Sequence, residues 1–142
     1  MQFTKKYIDA LSETLYFATH KTGLRIFVVP KKGFSKTYAI YGTKFGSINN
    51  TFIPLGENKE ITVPDGVAHF LEHKVFEQPD GGNAPQTFAK TGASPNAFTS
   101  KTMTAYHFSG TEKFMHNLEI LLDFVTHPYF SAVCHHHFRH KV

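Results

Sequence analysis

The chain has 142 residues, a length that fits one ordinary globular domain and argues against a large multidomain enzyme. Hydrophobic residues make up 41 % and aromatic residues 15 %, so the composition excludes an intrinsically disordered chain. The net charge is +4, but the basic residues are scattered rather than clustered, which argues against a nucleic-acid partner. One cysteine excludes an internal disulfide, and no apolar run predicts a secretory signal or a membrane span. We therefore expect a cytoplasmic protein that binds neither nucleic acid nor membrane.

The first third of the chain predicts β structure. Two apolar segments, residues 14–18 and 24–29, flank turn residues at 20–23, and this pattern predicts a β-hairpin that Pro30 closes. Residues 38–45 are rich in aromatic and β-branched side chains and predict a further strand. The polar stretch that follows, with several Asn, Pro and Gly residues, predicts a loop.

A helix is predicted to begin at the Pro-Asp-Gly sequence of residues 64–66, with Asp65 as its N-cap. Apolar side chains recur every four residues along it and predict one buried face, formed by Val67, Leu71 and Val75. The turn-forming residues 79–82 predict where the helix stops.

The rest of the chain predicts a short helix, two strands and a final helix. The short helix spans residues 84–90 with Pro85 in its first turn, and the strands span 96–100 and 102–109. Thr111 is the expected cap of the final helix. The buried stripe of that helix is predicted to consist of Phe114, Leu118, Leu121, Leu122 and Val125. The element order β-β-β-α-α-β-β-α predicts an α+β fold with a largely antiparallel sheet.

The segment that carries chemistry is His69-Phe70-Leu71-Glu72-His73, inside the first predicted helix. At helical periodicity, positions 72 and 73 each fall within about 60° of position 69, so both imidazoles and the carboxylate are expected to share a face distinct from the apolar one. Two neutral imidazoles one turn apart can bind one Zn²⁺, and a neighbouring carboxylate can take a proton from the metal-bound water. The order is the inverse of the commoner zinc-protease helix. The alternative is a solvated helix face on which these residues meet by chance.

Beyond this motif, residues 64–74, 92–100 and 104–106 closely resemble the pitrilysin/insulinase family of zinc metallopeptidases, in particular its bacterial processing-protease-like members. The resemblance extends over nearly all of residues 7–130. It implies the front part of one mitochondrial-processing-peptidase-like metallohydrolase domain, with helices packed on one side of the sheet. We expect residues 1–131 to form this peptidase domain, truncated at its C-terminal side.

The resemblance also implies roles for the motif residues. His69 and His73 correspond to the zinc ligands of the family, and Glu72 corresponds to its general base. The implied function is a zinc-dependent metalloendopeptidase, with one Zn²⁺ as cofactor, that hydrolyses peptide bonds through a metal-bound water.

A second set of roles concerns substrate binding by Asn96, Ala97 and Phe98. In the family the matching segment lies on an edge strand whose backbone pairs with an extended peptide, and Phe98 is then a candidate pocket wall. Judged without the resemblance, Asn96 is more simply a turn residue after Pro95.

The chain departs from the family at its end. The third family ligand is a glutamate about 70 to 80 residues beyond the second histidine. The last acidic residue here is Asp123, and residues 132–142 form a His-rich tail unlike the family. Three interpretations of the tail remain open: a non-native ending on a truncated chain, a substitute ligand from Cys134 or residues 135–137, and an inert polar terminus.

The family works as two related halves that enclose a chamber. The resemblance therefore implies a peptide or unfolded-protein substrate and a related second half or sister subunit. We expect the chain to be weakly active or inactive alone. The alternative function is a noncatalytic peptide-binding or partner subunit of a heteromeric peptidase, and a weaker one is metal sequestration by the His-rich tail.

Overall fold

The computed structural model describes residues 1–77 and 83–130. The predicted helix stop at 79–82 and the tail at 132–142 lie outside the described residues. The chain divides into two compact units, Met1–Ser35 and Lys36–Val142. Within the described ranges, no helix is long and apolar enough to cross a bilayer.

The first unit is a three-stranded antiparallel sheet of β1 (Thr4–Ile8), β2 (Glu13–Thr19) and β3 (Arg25–Val28), in that order. The predicted hairpin is confirmed as β2 and β3. Its turn needs Gly23, whose φ of +87° is unfavourable for residues with a Cβ. Strand β1 was not predicted from the sequence; a short 3-10 helix, Asp9–Leu11, connects it to β2. Its side chains are nearly all exposed, so it lacks the alternating apolar pattern that would have indicated it.

The second unit contains five strands: β4 (Thr37–Thr43), β5 (Thr51–Phe52), β6 (Ile61–Thr62), β7 (Ser94–Thr99) and β8 (Thr104–Gly110). Strands β4, β8 and β7 pair in that order as an antiparallel sheet. Strands β5 and β6 form a separate two-stranded ribbon inside the predicted loop. Two residues per strand are too few to produce a recognisable hydrophobic alternation, so the sequence predicted only a loop here.

Three helices complete the second unit: α1 (Val67–Val75), α2 (Ala84–Ala89) and α3 (Phe114–Thr126). All three were predicted, and together with the antiparallel pairing they confirm the α+β class. Two predicted caps are wrong. The N-cap of α1 is Gly66 and that of α3 is Lys113, both with positive φ. Side-chain capping needs extended backbone at the N-cap, and neither helix has a side-chain hydrogen bond at its N-cap, so neither Asp65 nor Thr111 fills that role.

The helices pack on one face of the β4-β8-β7 sheet. The core they share is mainly aromatic and contains Val75, Ala84, Phe88, Ala93, Tyr106, Phe108, Leu121 and Phe124. On α3, Leu121 is buried as predicted, whereas Leu122 is 36 % exposed and does not belong to the buried stripe. The fully buried Asn117 takes a place on that stripe, because positions 117, 121 and 124 share one side of a helix. The side-chain amide nitrogen of Asn117 donates a hydrogen bond to the Glu112 carbonyl at 3.1 Å.

The loop that follows β4 is fastened to the turn between β7 and β8. The Ser47 amide donates to the Ser100 carbonyl at 2.9 Å, and the Ile48 amide donates to the Lys101 carbonyl at 3.1 Å. Gly46 lies against this turn so closely that an added Cβ would stand 2.5 Å from the Met103 nitrogen and 2.6 Å from the Lys101 carbonyl carbon. The atoms that the added Cβ would meet belong to the backbone, so no side-chain movement can relieve the overlap. This position therefore requires glycine.

We expect Gly46→Ala to lower the free energy of unfolding by about 1–3 kcal/mol, because the new methyl group overlaps backbone atoms. The matched control is Gly42→Ala in β4, where a Cβ would meet only the flexible Met103 side chain, at 3.4 Å. Urea unfolding followed by circular dichroism measures both. Equal stability of the two variants would contradict the close approach at Gly46.

Candidate active site

Helix α1 carries all three motif side chains but divides them between two environments. His69 and His73 are exposed, whereas Glu72 is only 8 % exposed. The expectation that all three share a face distinct from the apolar one is therefore wrong for Glu72. The buried side of α1 consists of Val67, Ala68, Glu72 and Val75, and Leu71 is only half-buried.

The two imidazoles are close enough to share one metal ion. Their Nε2 atoms lie 3.1 Å apart, and their ring planes are inclined at 52°. Two nitrogens bound to a tetrahedral zinc at about 2.0–2.1 Å stand about 3.3–3.4 Å apart, so the observed spacing fits the metal with a shift of a few tenths of an ångström. Among residues 1–77 and 83–130, the only group of three or more possible ligands is His69, Glu72 and His73, within 4.8 Å of one another.

The buried carboxylate of Glu72 is held from the sheet. The Thr99 hydroxyl donates a hydrogen bond of 2.6 Å to Glu72 Oε2. This length is typical of a hydrogen bond between a hydroxyl and an ionised carboxylate. The bond offsets part of the free-energy cost of burying the charge. Thr99 was not predicted as a site residue. The one sequence signal for it is its place at the end of the strand that is predicted to bind substrate.

A neutral phenol lies near the same carboxylate. Burial, and to a smaller extent the negative charge of Glu72, together raise the pKa of Tyr106 to about 12. The Tyr106 ring packs against Phe76 and Phe124, with centroid separations of 5.8 and 5.9 Å. The phenol therefore stays protonated at neutral pH, so it is part of the packed core and not a proton acceptor.

Strand β7 is at one edge of its sheet in the described part of the chain, where β8 is its only partner strand. Asn96, Ala97 and Phe98 all lie within it, so the alternative of a turn at Asn96 is wrong. Asn96 and Phe98 are exposed, and Ala97 is half-buried toward the helices. The Ala97 amide donates to Oδ1 of the Asn96 side chain at 2.9 Å. An edge amide bound by an exposed side chain can exchange that acceptor for a ligand carbonyl.

The chain is similar in sequence to known peptidases. A family model described as insulinase, peptidase family M16, matches residues 47–141. YmfH of Bacillus subtilis, described as a zinc protease, is 58 % identical over 123 residues, which are 87 % of this chain and 28 % of that protein. The chain thus spans little more than a quarter of this relative.

Two solved structures are also similar. An M16-like peptidase from Alicyclobacillus acidocaldarius aligns with a TM-score of 0.75 and 34 % identity, over 92 % of this chain and 28 % of that one. A protease from Helicobacter pylori aligns with a TM-score of 0.67 and 25 % identity, over 82 % of this chain and 26 % of that one. The domain boundary at residue 131 stays a prediction. The match to the family model nevertheless covers two thirds of the sequence, and the chain belongs to the insulinase family of peptidases, M16.

Proposed function

We propose that this chain carries the zinc-binding and catalytic residues of a metalloendopeptidase. The observation that carries the proposal is the spacing of the two exposed imidazoles, whose Nε2 atoms lie 3.1 Å apart on α1 beside the buried Glu72. Zinc bound there would act as a Lewis acid on a peptide carbonyl and would lower the pKa of water. The zinc-protease description of YmfH supports this choice of metal.

In this proposal the chain's own residues divide the work. His69 and His73 hold the metal at the solvent side of the helix. Glu72 acts as general base, taking a proton from the attacking water and returning it to the leaving amine. Since catalytic zinc sites use three protein ligands, we propose that a third ligand comes from a segment outside residues 1–77 and 83–130.

The substrate we propose is an extended peptide or an unfolded protein that pairs with the edge of β7. The alternating exposure of that strand suits strand addition, because the backbone binds any sequence while side chains such as Phe98 select among them. We also propose that a related second half or a sister subunit closes over the bound peptide. We place this activity in the cytoplasm, in keeping with the composition.

The first prediction concerns the metal. We expect the purified chain to bind one zinc ion, and we expect His69→Ala with His73→Ala to lower the affinity at least 100-fold, because both nitrogen ligands are lost. Isothermal titration calorimetry and metal analysis measure this. His116→Ala, an exposed histidine on α3 paired with Glu119, is the matched control and should bind zinc normally. Unchanged zinc content in the double variant would contradict the site, and loss of zinc only on deletion of residues 132–142 would assign it to the tail.

The second prediction concerns turnover. We expect the zinc-loaded chain to cleave an unstructured fluorogenic peptide slowly, and Glu72→Gln to reduce kcat about 100-fold or more while zinc stays bound, since the amide cannot accept the proton. Cleavage that survives the substitution would exclude Glu72 as the base. A zinc-loaded wild-type chain that binds the peptide without cleaving it would instead support the noncatalytic peptide-binding role.

The third prediction concerns the sheet edge. Ala97→Pro removes the amide that donates to Asn96 Oδ1, so we expect it to weaken binding of an extended peptide about tenfold while zinc affinity is unchanged. Ala97→Ser keeps the amide and is the control. Fluorescence anisotropy of a labelled peptide, measured on Glu72→Gln to prevent cleavage, gives both affinities. Equal binding by the two variants would show that the peptide does not pair with this edge.

A further inference from the structure

We propose that Thr99 is a positioning residue for the general base: its hydroxyl fixes the Glu72 carboxylate relative to β7, the strand that receives the peptide. This inference rests on the proposed function and adds a residue to it. The bond joins positions 27 residues apart in sequence, from the last residue of β7 to the middle of α1.

The direction of the hydrogen bonds follows from the number of protons available. An ionised carboxylate is only an acceptor, so the 2.6 Å contact between Thr99 Oγ1 and Glu72 Oε2 uses the single hydroxyl proton of Thr99. The hydroxyl of Thr104 donates to the Phe45 carbonyl at 2.8 Å. The two threonine oxygens lie 3.3 Å apart, but with both protons committed elsewhere they do not compete for each other.

The bond leaves the second carboxylate oxygen available for chemistry. It is made to Oε2, so the lone pairs of Oε1 are not used by it. One oxygen is therefore anchored while the other can receive a proton. A carboxylate held in a single rotamer does not have to be ordered in the transition state, which is the advantage that a positioned base has over a freely rotating one.

The anchor also ties the base to the substrate strand. Thr99 and Ala97 share one face of β7, and the end of that strand is fastened in turn through the β7–β8 turn to the loop at Gly46. A peptide paired with the strand is then placed in register with Glu72 by a single short element. The requirement is for a hydroxyl at position 99, which serine also supplies and valine does not.

The first arm of the test does not depend on activity. In the metal-free chain, three-bond NMR couplings that report χ1 and χ2 of Glu72 should show one rotamer in the wild type and in Thr99→Ser. They should show averaging among rotamers in Thr99→Val. Thr99→Ala is measured alongside, because it removes the hydroxyl without placing a methyl group against the carboxylate. A single Glu72 rotamer in both the valine and alanine variants would overturn the proposal.

The matched control is Thr91→Val. Thr91 is also half-buried and its hydroxyl also contacts a side-chain oxygen, Asn117 Oδ1, at 2.5 Å, but it lies in the turn that follows α2. This variant loses a comparable contact, so it should lose stability while the Glu72 couplings stay as in the wild type. Averaging of the Glu72 rotamer in this variant as well would mean that general loosening, and not the Thr99 hydroxyl, governs the base.

The second arm uses peptide cleavage by the zinc-loaded chain. Thr99→Val should lower kcat about tenfold with KM changed less than twofold, and Thr99→Ser should restore most of kcat. Combined with Glu72→Gln, the valine substitution should cause no further loss. An unchanged kcat, or a loss confined to KM, would overturn the positioning role. If the wild type neither binds zinc nor cleaves peptide, the proposed function fails, while the rotamer measurement still decides whether Thr99 fixes Glu72.

Discussion

Burial of one carboxylate governs the arrangement of the second unit. Glu72 faces the sheet, where an ionised group without a partner would cost several kcal/mol. The Thr99 hydroxyl offsets part of that cost, but only if α1 lies with this side toward the end of β7. The same rotation of the helix carries His69 and His73 to the surface. The orientation of the candidate metal-binding face is thus tied to where the charge can be buried.

That arrangement depends on a well-defined end to β7. The turn that follows it is held by backbone hydrogen bonds from the loop after β4, and Gly46 allows the two backbones to meet. The Thr104 hydroxyl adds a bond to the Phe45 carbonyl at the same place. Contacts with no chemistry of their own therefore determine the position of a hydroxyl group that touches the candidate base.

Local patterns in the sequence were sufficient for most elements of the second unit. Helical periodicity and turn residues predicted the three helices, and runs of aromatic and β-branched residues predicted β4, β7 and β8. Strand β1 and the β5–β6 ribbon were missed because the first is polar and the second is very short. The caps at Asp65 and Thr111 failed because the backbone at Gly66 and Lys113 is left-handed, which residue type alone does not reveal.

The motif itself was readable from spacing, because residues at i, i+3 and i+4 must lie near one another on a helix. The same spacing does not tell which side of the helix meets the sheet, so the burial of Glu72 and its bond to Thr99 could be seen only in the tertiary structure.

The division between exposed imidazoles and a buried carboxylate has an evolutionary consequence. Substitution of either histidine removes only a surface side chain, whereas loss of Glu72 leaves an unfilled place in the core. Members of such a lineage can lose the metal and keep the fold, which gives gene duplication an easy route to subunits that bind without cutting.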